Sequence, residues 1–471
     1  MKKNDTIELN IDSLAYGGNA IAKKDGAVFF IKYAVPGDKI NALITRRKRN
    51  YYEGVINELI EPSAHRIKAD CQYFVVCGGC SWQNTTYSEQ LIQKKQIVVD
   101  SLVRIGKIDI KKINDTLASP LAFNYRNKME FSFSASRWLL KDEISDDEII
   151  ARRKDFACGL HSPGRFDKVL EIESCKLQHK RADKIYNILK IATEKSGSTA
   201  YNHKEHTGFF RNFLLRYSFA NDALMAMIIT NLPESKSDEK FIDYYKNEFS
   251  KHFTENDTLL WGINSTHSPV DIQKIELIKG SGFINEKILD IDYRISPQSF
   301  FQTNSSQLNQ FIQKIIESAD LNGNEIVWDL YCGAGSITLP ASRNCKKIIG
   351  VELVESAIDD AKINAKRNNV INAEFYCEDL HKKQLPDLLN ALPKPDVVIV
   401  DPPRAGMHKN VVEHILEISP EKVVYVSCNP TTQARDLELM KEKYIIEEMT
   451  PVDLFPHTYH VESICKLVKR K

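Results

Sequence analysis

The sequence predicts a multidomain protein: an N-terminal all-β barrel of the oligonucleotide-binding sort, an α+β middle, and a C-terminal doubly wound α/β domain. Three observations carry this expectation. At 471 residues the chain exceeds what one hydrophobic core serves, and the usual domain size divides it into roughly three. Short alternating segments broken by Gly and Pro fill residues 1–62. From about residue 291, brief β-branched runs alternate with amphipathic helical stretches, the pattern of a mostly parallel sheet with helices on its faces.

In the first part, strands are expected over Thr6–Ile11, Ala27–Tyr33, Asp38–Thr45 and Tyr52–Leu59, with turns at Gly17-Gly18, Asp25-Gly26 and Pro36-Gly37. Short strands at such spacing close into small barrels. Residues 1–52 hold ten Lys and Arg against five acids, with Arg46, Arg47, Lys48 and Arg49 in one run among Phe29, Phe30, Tyr33, Tyr51 and Tyr52. Aromatic and basic side chains together offer a nucleic acid stacking surfaces and phosphate contacts; each ring is as readily barrel core, and the run as readily a solvated face. The net charge of +1 leaves any polyanion footprint local.

Residues 63–290 mix helical stretches (Tyr87–Ile105, His179–Lys195, Lys236–Phe253) with strand-like ones (Ala223–Thr230, Leu259–Asn264), and the charged stretch Lys141–Lys154 reads as an exposed loop. No apolar run approaches the ~20 residues of a membrane span, and the polar N-terminus lacks a signal-peptide core, so a cytoplasmic protein without a membrane partner is expected. In that compartment ten cysteines are not a disulfide framework.

In the C-terminal part, strands are expected at Ile326–Leu330, Lys347–Glu352, Ala373–Cys377, Asp396–Asp401 and Lys422–Ser427, with helices over Glu355–Asn368 and Val411–Glu417. Ligands of such sheets bind beyond the carboxyl ends of the strands. The first strand ends in Asp329-Leu330-Tyr331-Cys332-Gly333-Ala334-Gly335, with a helix from about Ser336; glycines there let a ligand approach the backbone. Glu352, at the end of the next strand, suits a ribose diol, which fits NAD and S-adenosylmethionine equally. Asp379 after the third strand suits an adenine amino group, although a helix N-cap competes for it. Ser336 and Thr338 occupy the region of the third glycine of the dinucleotide fingerprint. Together these favour a class I, Rossmann-like methyltransferase domain using S-adenosyl-L-methionine.

Strand four ends in Asp401-Pro402-Pro403-Arg404 and strand five in Ser427-Cys428-Asn429-Pro430. Amino-group methyltransferases carry an aromatic residue where Arg404 stands, which argues against a nitrogen acceptor. Carbon 5 of uracil is a poor nucleophile until a thiolate adds to C6. That chemistry requires one exposed cysteine of low pKa and a carboxylate base. Cys428 occupies the crevice position, whereas Cys332, Cys345, Cys377 and Cys465 read as buried, inert thiols.

Three segments, Asp401-Pro-Pro-Arg-x-Gly406, Val426-Ser-Cys-Asn-Pro-x-Thr432 and Asp453-Leu-Phe-Pro-His-Thr-x-His-Val-Glu462, give the chain a specific resemblance to the RNA 5-methyluridine methyltransferase family over essentially its whole length. The resemblance implies Cys428 as nucleophile, Glu462 as proton-abstracting base, and Gln302, Tyr331, Glu352 and Asp401 as cofactor contacts, with Gly333, Ser336 and Asp379 completing the cofactor set. Residue types alone would have put His457 or His460 ahead of Glu462 as proton handler. The N-terminal barrel resembles the TRAM RNA-binding domain.

Cys71-x5-Cys77-x2-Cys80 and the remote Cys175, with Cys158 as competing fourth ligand, can hold zinc or an iron–sulfur cluster. In a subset of the resembling family these cysteines bind a [4Fe-4S] cluster, which implies that cluster and inclines the RNA partner to 23S rRNA, with tRNA second. The expected organisation is a TRAM-like barrel at 1–62, a cluster-bearing middle at 63–290 and a methyltransferase domain at 291–471, acting as a monomer on RNA rather than DNA. A cytosine or amino-group methyltransferase and a noncatalytic RNA-binding or ribosome-assembly factor are the rival readings.

Overall fold

The computed structural model describes residues 1–108, 110–140, 143, 155–268, 271–383 and 387–471. Apart from Glu143, the stretch read as an exposed loop at 141–154 lies outside the described residues. The N-terminal sheet has six strands, Thr6–Asn10, Ser13–Leu14, Ala20–Lys24, Ala27–Lys32, Lys39–Arg47 and Tyr51–Glu61. Period-two alternation builds it: Ile40, Ala42 and Ile44 turn inward from Lys39–Arg47 and are fully buried, while their neighbours face outward. The aromatic residues divide between roles. Phe29 is core and stacks on Tyr52 at 5.1 Å, while Phe30 and Tyr51 meet edge-on, both half-exposed.

The middle of the chain forms a seven-stranded sheet in the order Lys274–Lys279, Thr258–Ile263, Leu224–Thr230, Phe210–Tyr217, Lys128–Ser134, Ala157–Ser162, Arg165–Glu171. Helices Lys180–Lys195 and Lys236–Asn247 cover it, burying Tyr186, Leu189, Phe241 and Tyr245 against Phe131, Phe210 and Leu259.

The C-terminal sheet contains β1 (Ile326–Leu330), β2 (Lys347–Glu352), β3 (Ala373–Cys377), β4 (Val397–Val400), β5 (Lys422–Ser427), β6 (Tyr444–Val452) and β7 (Glu462–Lys469). Its order is β3-β2-β1-β4-β5-β7-β6, with β1 to β5 parallel and β7 antiparallel between β5 and β6. The helix expected from Ser336 is a single turn, Thr338–Ala341, followed by a 3-10 turn. Pro340 and the left-handed Gly335 confine it, so a long helix dipole does not back the glycine-rich turn.

Helix Tyr87–Ser101 joins the N-terminal and C-terminal sheets. Its Ile97 and Val98 belong to one continuous apolar cluster that runs from Leu9, Ile31 and Ile44 through Trp82 to Tyr425, Leu437 and Met440. Among the described residues no helix is long and apolar enough to cross a membrane.

Candidate active site

Strand register brings the chemistry-bearing residues of four segments to one edge. Leu330 pairs with Val351 on one side and Val400 on the other, and Val400 pairs with Tyr425. Tyr331, Glu352 and Asp401 therefore leave the sheet side by side at its carboxyl edge. On the far side of β5, Ser427 pairs with Ser463 of antiparallel β7. That pairing sets Cys428, one residue past Ser427, across from Glu462, one residue before Ser463.

Cys428 precedes helix Pro430–Met440, whose N-cap Asn429 accepts from Thr431 N at 3.1 Å and donates to the Arg404 carbonyl at 3.0 Å. The helix N-terminus and Arg404 favour a thiolate. They do not dominate. Cys428 is half-buried rather than exposed, and burial pushes its thiol up to about 12, with the Glu462 and Asp401 charges adding and Arg404 opposing. The cysteine expected to have a low pKa is thus protonated in the resting site, chiefly because burial disfavours its anion, with the neighbouring Glu462 and Asp401 adding to the effect.

Glu462 is 4% exposed, and burial, reinforced by Asp401, raises its carboxyl to about 8. Asp401 itself is raised by burial to about 7. Burial depresses His457 and His460 to about 4. Neutral imidazoles so far from working pH are poorly matched to proton transfer, whereas a carboxyl near 8 is well matched.

The segment before Glu462 is held by helix Tyr87–Ser101. Lys94 and Asp453, both fully buried, form an ion pair at 2.5 Å, and Lys94 also donates to the Phe455 carbonyl at 3.0 Å. The Gln90 side chain accepts from His457 N at 2.9 Å and meets its Nδ1 at 3.2 Å. Ser81 N and Trp82 N both donate to the His457 carbonyl, and the Tyr125 hydroxyl donates to that of Pro456.

Around the glycine-rich turn, Tyr331 adopts a left-handed φ of 65°, which turns the chain off the strand. Glu352 accepts from Gly333 N at 3.1 Å and from Leu353 N and Val354 N. A Cβ on Gly333 would meet nothing within 4 Å, so open space lies above this backbone. Gln302 and Ser336 are half-buried, and the Gln302 carbonyl accepts from Asn127 Nδ2 at 2.9 Å. Asp379 accepts from His381 N at 2.9 Å within a turn rather than capping a helix.

The upstream cysteines meet around another space. Cys71, Cys77, Cys80 and Cys175 line one cavity of about 300 Å³ together with Tyr73, Arg126 and His161. Cys158 instead lies buried within strand Ala157–Ser162. Burial raises the thiols of Cys80 to about 12 and Cys175 to about 11. Among the described residues, no three His, Cys, Asp or Glu converge closely enough to hold a single metal ion.

Residues 271–470 match the tRNA (uracil-5-)-methyltransferase family, and residues 2–56 match the TRAM domain. An uncharacterized RNA methyltransferase of Bacteroides thetaiotaomicron is 40% identical over 97% of this chain and 100% of its own length. Another from Chlorobaculum tepidum is 38% identical over 98% of this chain and 96% of its own. The chain belongs to the RNA uracil-5 methyltransferase family. Among solved structures, Pyrococcus abyssi tRNA (uracil-54, C5)-methyltransferase in complex with S-adenosyl-L-homocysteine has 28% identity and a TM-score of 0.71, over 98% of this chain and 99% of that one. The chain is accordingly an RNA methyltransferase.

The structure of this RNA methyltransferase corrects one thiol and adds residues that sequence reasoning passed over. Cys377 is exposed at the end of β3 rather than buried. Lys94 and Gln90 had no signal, since each acts across more than 300 residues of chain, and Asp453 was seen only as part of the family segment, not as the partner of Lys94. Tyr16, from the N-terminal sheet, reaches Cys428 itself.

Proposed function

We propose that this enzyme methylates carbon 5 of a uridine in RNA through a covalent bond between Cys428 and C6 of uracil, with Glu462 as base. The observation that carries the reading is the pairing of β5 with β7, which sets a thiol and a buried carboxyl with a pKa of about 8 at one crevice edge.

The target uridine must leave its stack to reach the crevice. The Cys428 sulfur adds to C6, its proton passing to solvent, and the electron pair displaced from the C5–C6 double bond makes C5 nucleophilic. S-adenosylmethionine supplies the electrophilic methyl group. Glu462 then takes the C5 proton; the C–H electrons rebuild the double bond and expel the Cys428 thiolate. Arg404 favours the thiolate at both ends of the cycle. Gln302, Tyr331, Gly333, Ser336, Glu352, Asp379 and Asp401 would hold the methyl donor, a role supported by the open space above Gly333 and the Glu352 carboxylate beside it.

We assign Cys71, Cys77, Cys80 and Cys175 to a [4Fe-4S] cluster. The support is a donor set of four thiols around one cavity, three of them close in sequence at 71, 77 and 80 and the fourth remote, together with the family resemblance; zinc is the rival occupant. Such a cluster would cross-link the 71–80 segment to Cys175, and no step above passes through it. The acceptor we favour is 23S rRNA, on the family branch that these cysteines resemble. The similarity to the Pyrococcus abyssi tRNA (uracil-54, C5)-methyltransferase makes tRNA the second reading.

RNA containing 5-fluorouridine tests the mechanism, because fluorine cannot leave as a cation. With the methyl donor, wild type should form an adduct that survives denaturing electrophoresis and Cys428→Ala should not; RNA bound by wild type without adduct would sink the covalent reading. Mapping 5-methyluridine in total RNA from cells lacking the protein identifies the acceptor.

A further inference from the structure

The N-terminal sheet contributes a side chain to the methyl-transfer site. The Tyr16 hydroxyl donates to the backbone carbonyl of Cys428 at 3.3 Å, across 412 residues of sequence. Its ring packs edge-on against Tyr459 with centroids 5.4 Å apart, and Tyr459 in turn lies 4.1 Å from the His460 ring, two residues before Glu462. The phenol therefore touches both strand ends that carry the proposed chemistry. Arg404 also faces it, and burial together with the Cys428, Tyr459 and Glu462 charges raises its pKa to about 12, so it stays a neutral donor at working pH.

The turn carrying Tyr16 has little freedom. Gly17 and Gly18 take left-handed φ values of 103° and 92°, which a side chain would strain. The Trp82 indole donates to the Gly18 carbonyl at 3.1 Å, and Leu14 N donates to Gln93 Oε1 at 2.8 Å. A Cβ on Gly18 would come within 3.0 Å of Ser81 Oγ and 3.3 Å of Tyr459 Cδ1. Backbone glycines, a buried indole and a helix glutamine thus converge to hold one phenol in place.

We propose that Tyr16 is a positioning residue for the methyl transfer: by holding the Cys428 carbonyl and bracing Tyr459, it fixes the nucleophile relative to the base. The N-terminal sheet then serves catalysis directly, besides any contact it makes with RNA. The proposal rests on the covalent reading above.

Full-length wild type, Tyr16→Phe and Tyr16→Ala test it, with RNA affinity, the single-turnover rate of adduct formation on 5-fluorouridine RNA, and the thermal midpoint measured for each. Tyr16→Phe keeps the ring on Tyr459 and removes only the hydroxyl. Its adduct rate should fall by about three- to tenfold, the range expected for one neutral hydrogen bond, with RNA Kd within about twofold and the thermal midpoint unmoved. Tyr16→Ala should lose more rate than Tyr16→Phe. An unchanged rate in Tyr16→Phe overturns the proposal, and so does a loss wholly explained by weaker RNA binding. Wild type that methylates RNA without forming the adduct sinks the covalent reading and the Tyr16 assignment with it; wild-type adduct with an unaffected Tyr16→Phe sinks the Tyr16 assignment alone.

Discussion

Replacing Glu462 by Gln should stabilise the protein while halting turnover. The carboxyl rises from an ordinary 4.5 to about 8, chiefly through burial. A carboxyl whose pKa is higher in the folded state contributes stability that is complete below the unfolded value and is lost as pH climbs to the folded one. Each unit corresponds to 1.36 kcal/mol, so the whole window from pH 4.5 to 8 is worth ~5 kcal/mol and the part above pH 6 about 3 kcal/mol. Gln is neutral throughout and escapes this loss. At roughly 2–4 °C per kcal/mol for a domain of this size, the advantage of Glu462→Gln over wild type should grow by about 6–12 °C between pH 6 and 8.5. Calorimetry of both proteins at the two pH values reads this directly. Midpoints that stay parallel, or a Gln variant less stable at pH 8.5, would refute the role given to burial. The same variant should accumulate a methylated Cys428–RNA adduct on ordinary RNA, because the base that ends the cycle is gone.

In wild type, the breakdown of the methylated Cys428–RNA adduct, followed in single turnover, should quicken about tenfold per pH unit below the Glu462 pKa and flatten above pH 8; a flat profile from pH 6 upward would contradict Glu462 as base. Lys94→Met strands Asp453 as an unpaired buried charge and should cost ~3–5 kcal/mol in denaturant unfolding, with methylation falling as the Glu462 segment loosens. Gly350→Val places a side chain where a Cβ would already meet Phe375 at 2.8 Å and Cys332 Sγ at 2.9 Å; overpacking of ~1–3 kcal/mol should lower the thermal midpoint and weaken S-adenosylmethionine binding by displacing the β2 end. Cys80→Ser, purified anaerobically, should lose iron and sulfide that wild type retains, and a wild type without either would remove the cluster assignment.

The C-terminal sheet was legible because β1, β2, β4 and β5 are short β-branched runs, which leave few other local solutions. Strands Lys128–Ser134 and Phe210–Tyr217 were missed for the opposite reason. Phe210–Tyr217 is buried on both faces, so it lacks the alternation that marks a strand. The strand-end place of Cys428 was readable, whereas Glu462 entered only through family resemblance; the burial that supports its proposed role is invisible in one sequence. The raised thiol of Cys428 was not legible because its chief cause is burial, and the carboxylates that add to it, Glu462 and Asp401, come from other strands, 34 and 27 positions away along the chain.

The apolar cluster linking Leu9 and Ile44 to Tyr425 and Met440 makes the enzyme a ruler of fixed length. The exposed arginines at the end of Lys39–Arg47 and the thiol of Cys428 stand at a set separation, held by that continuous packing. On the proposed reaction, with those arginines on the RNA backbone, an RNA whose backbone and everted uridine cannot meet both marks at once should be refused whatever its sequence.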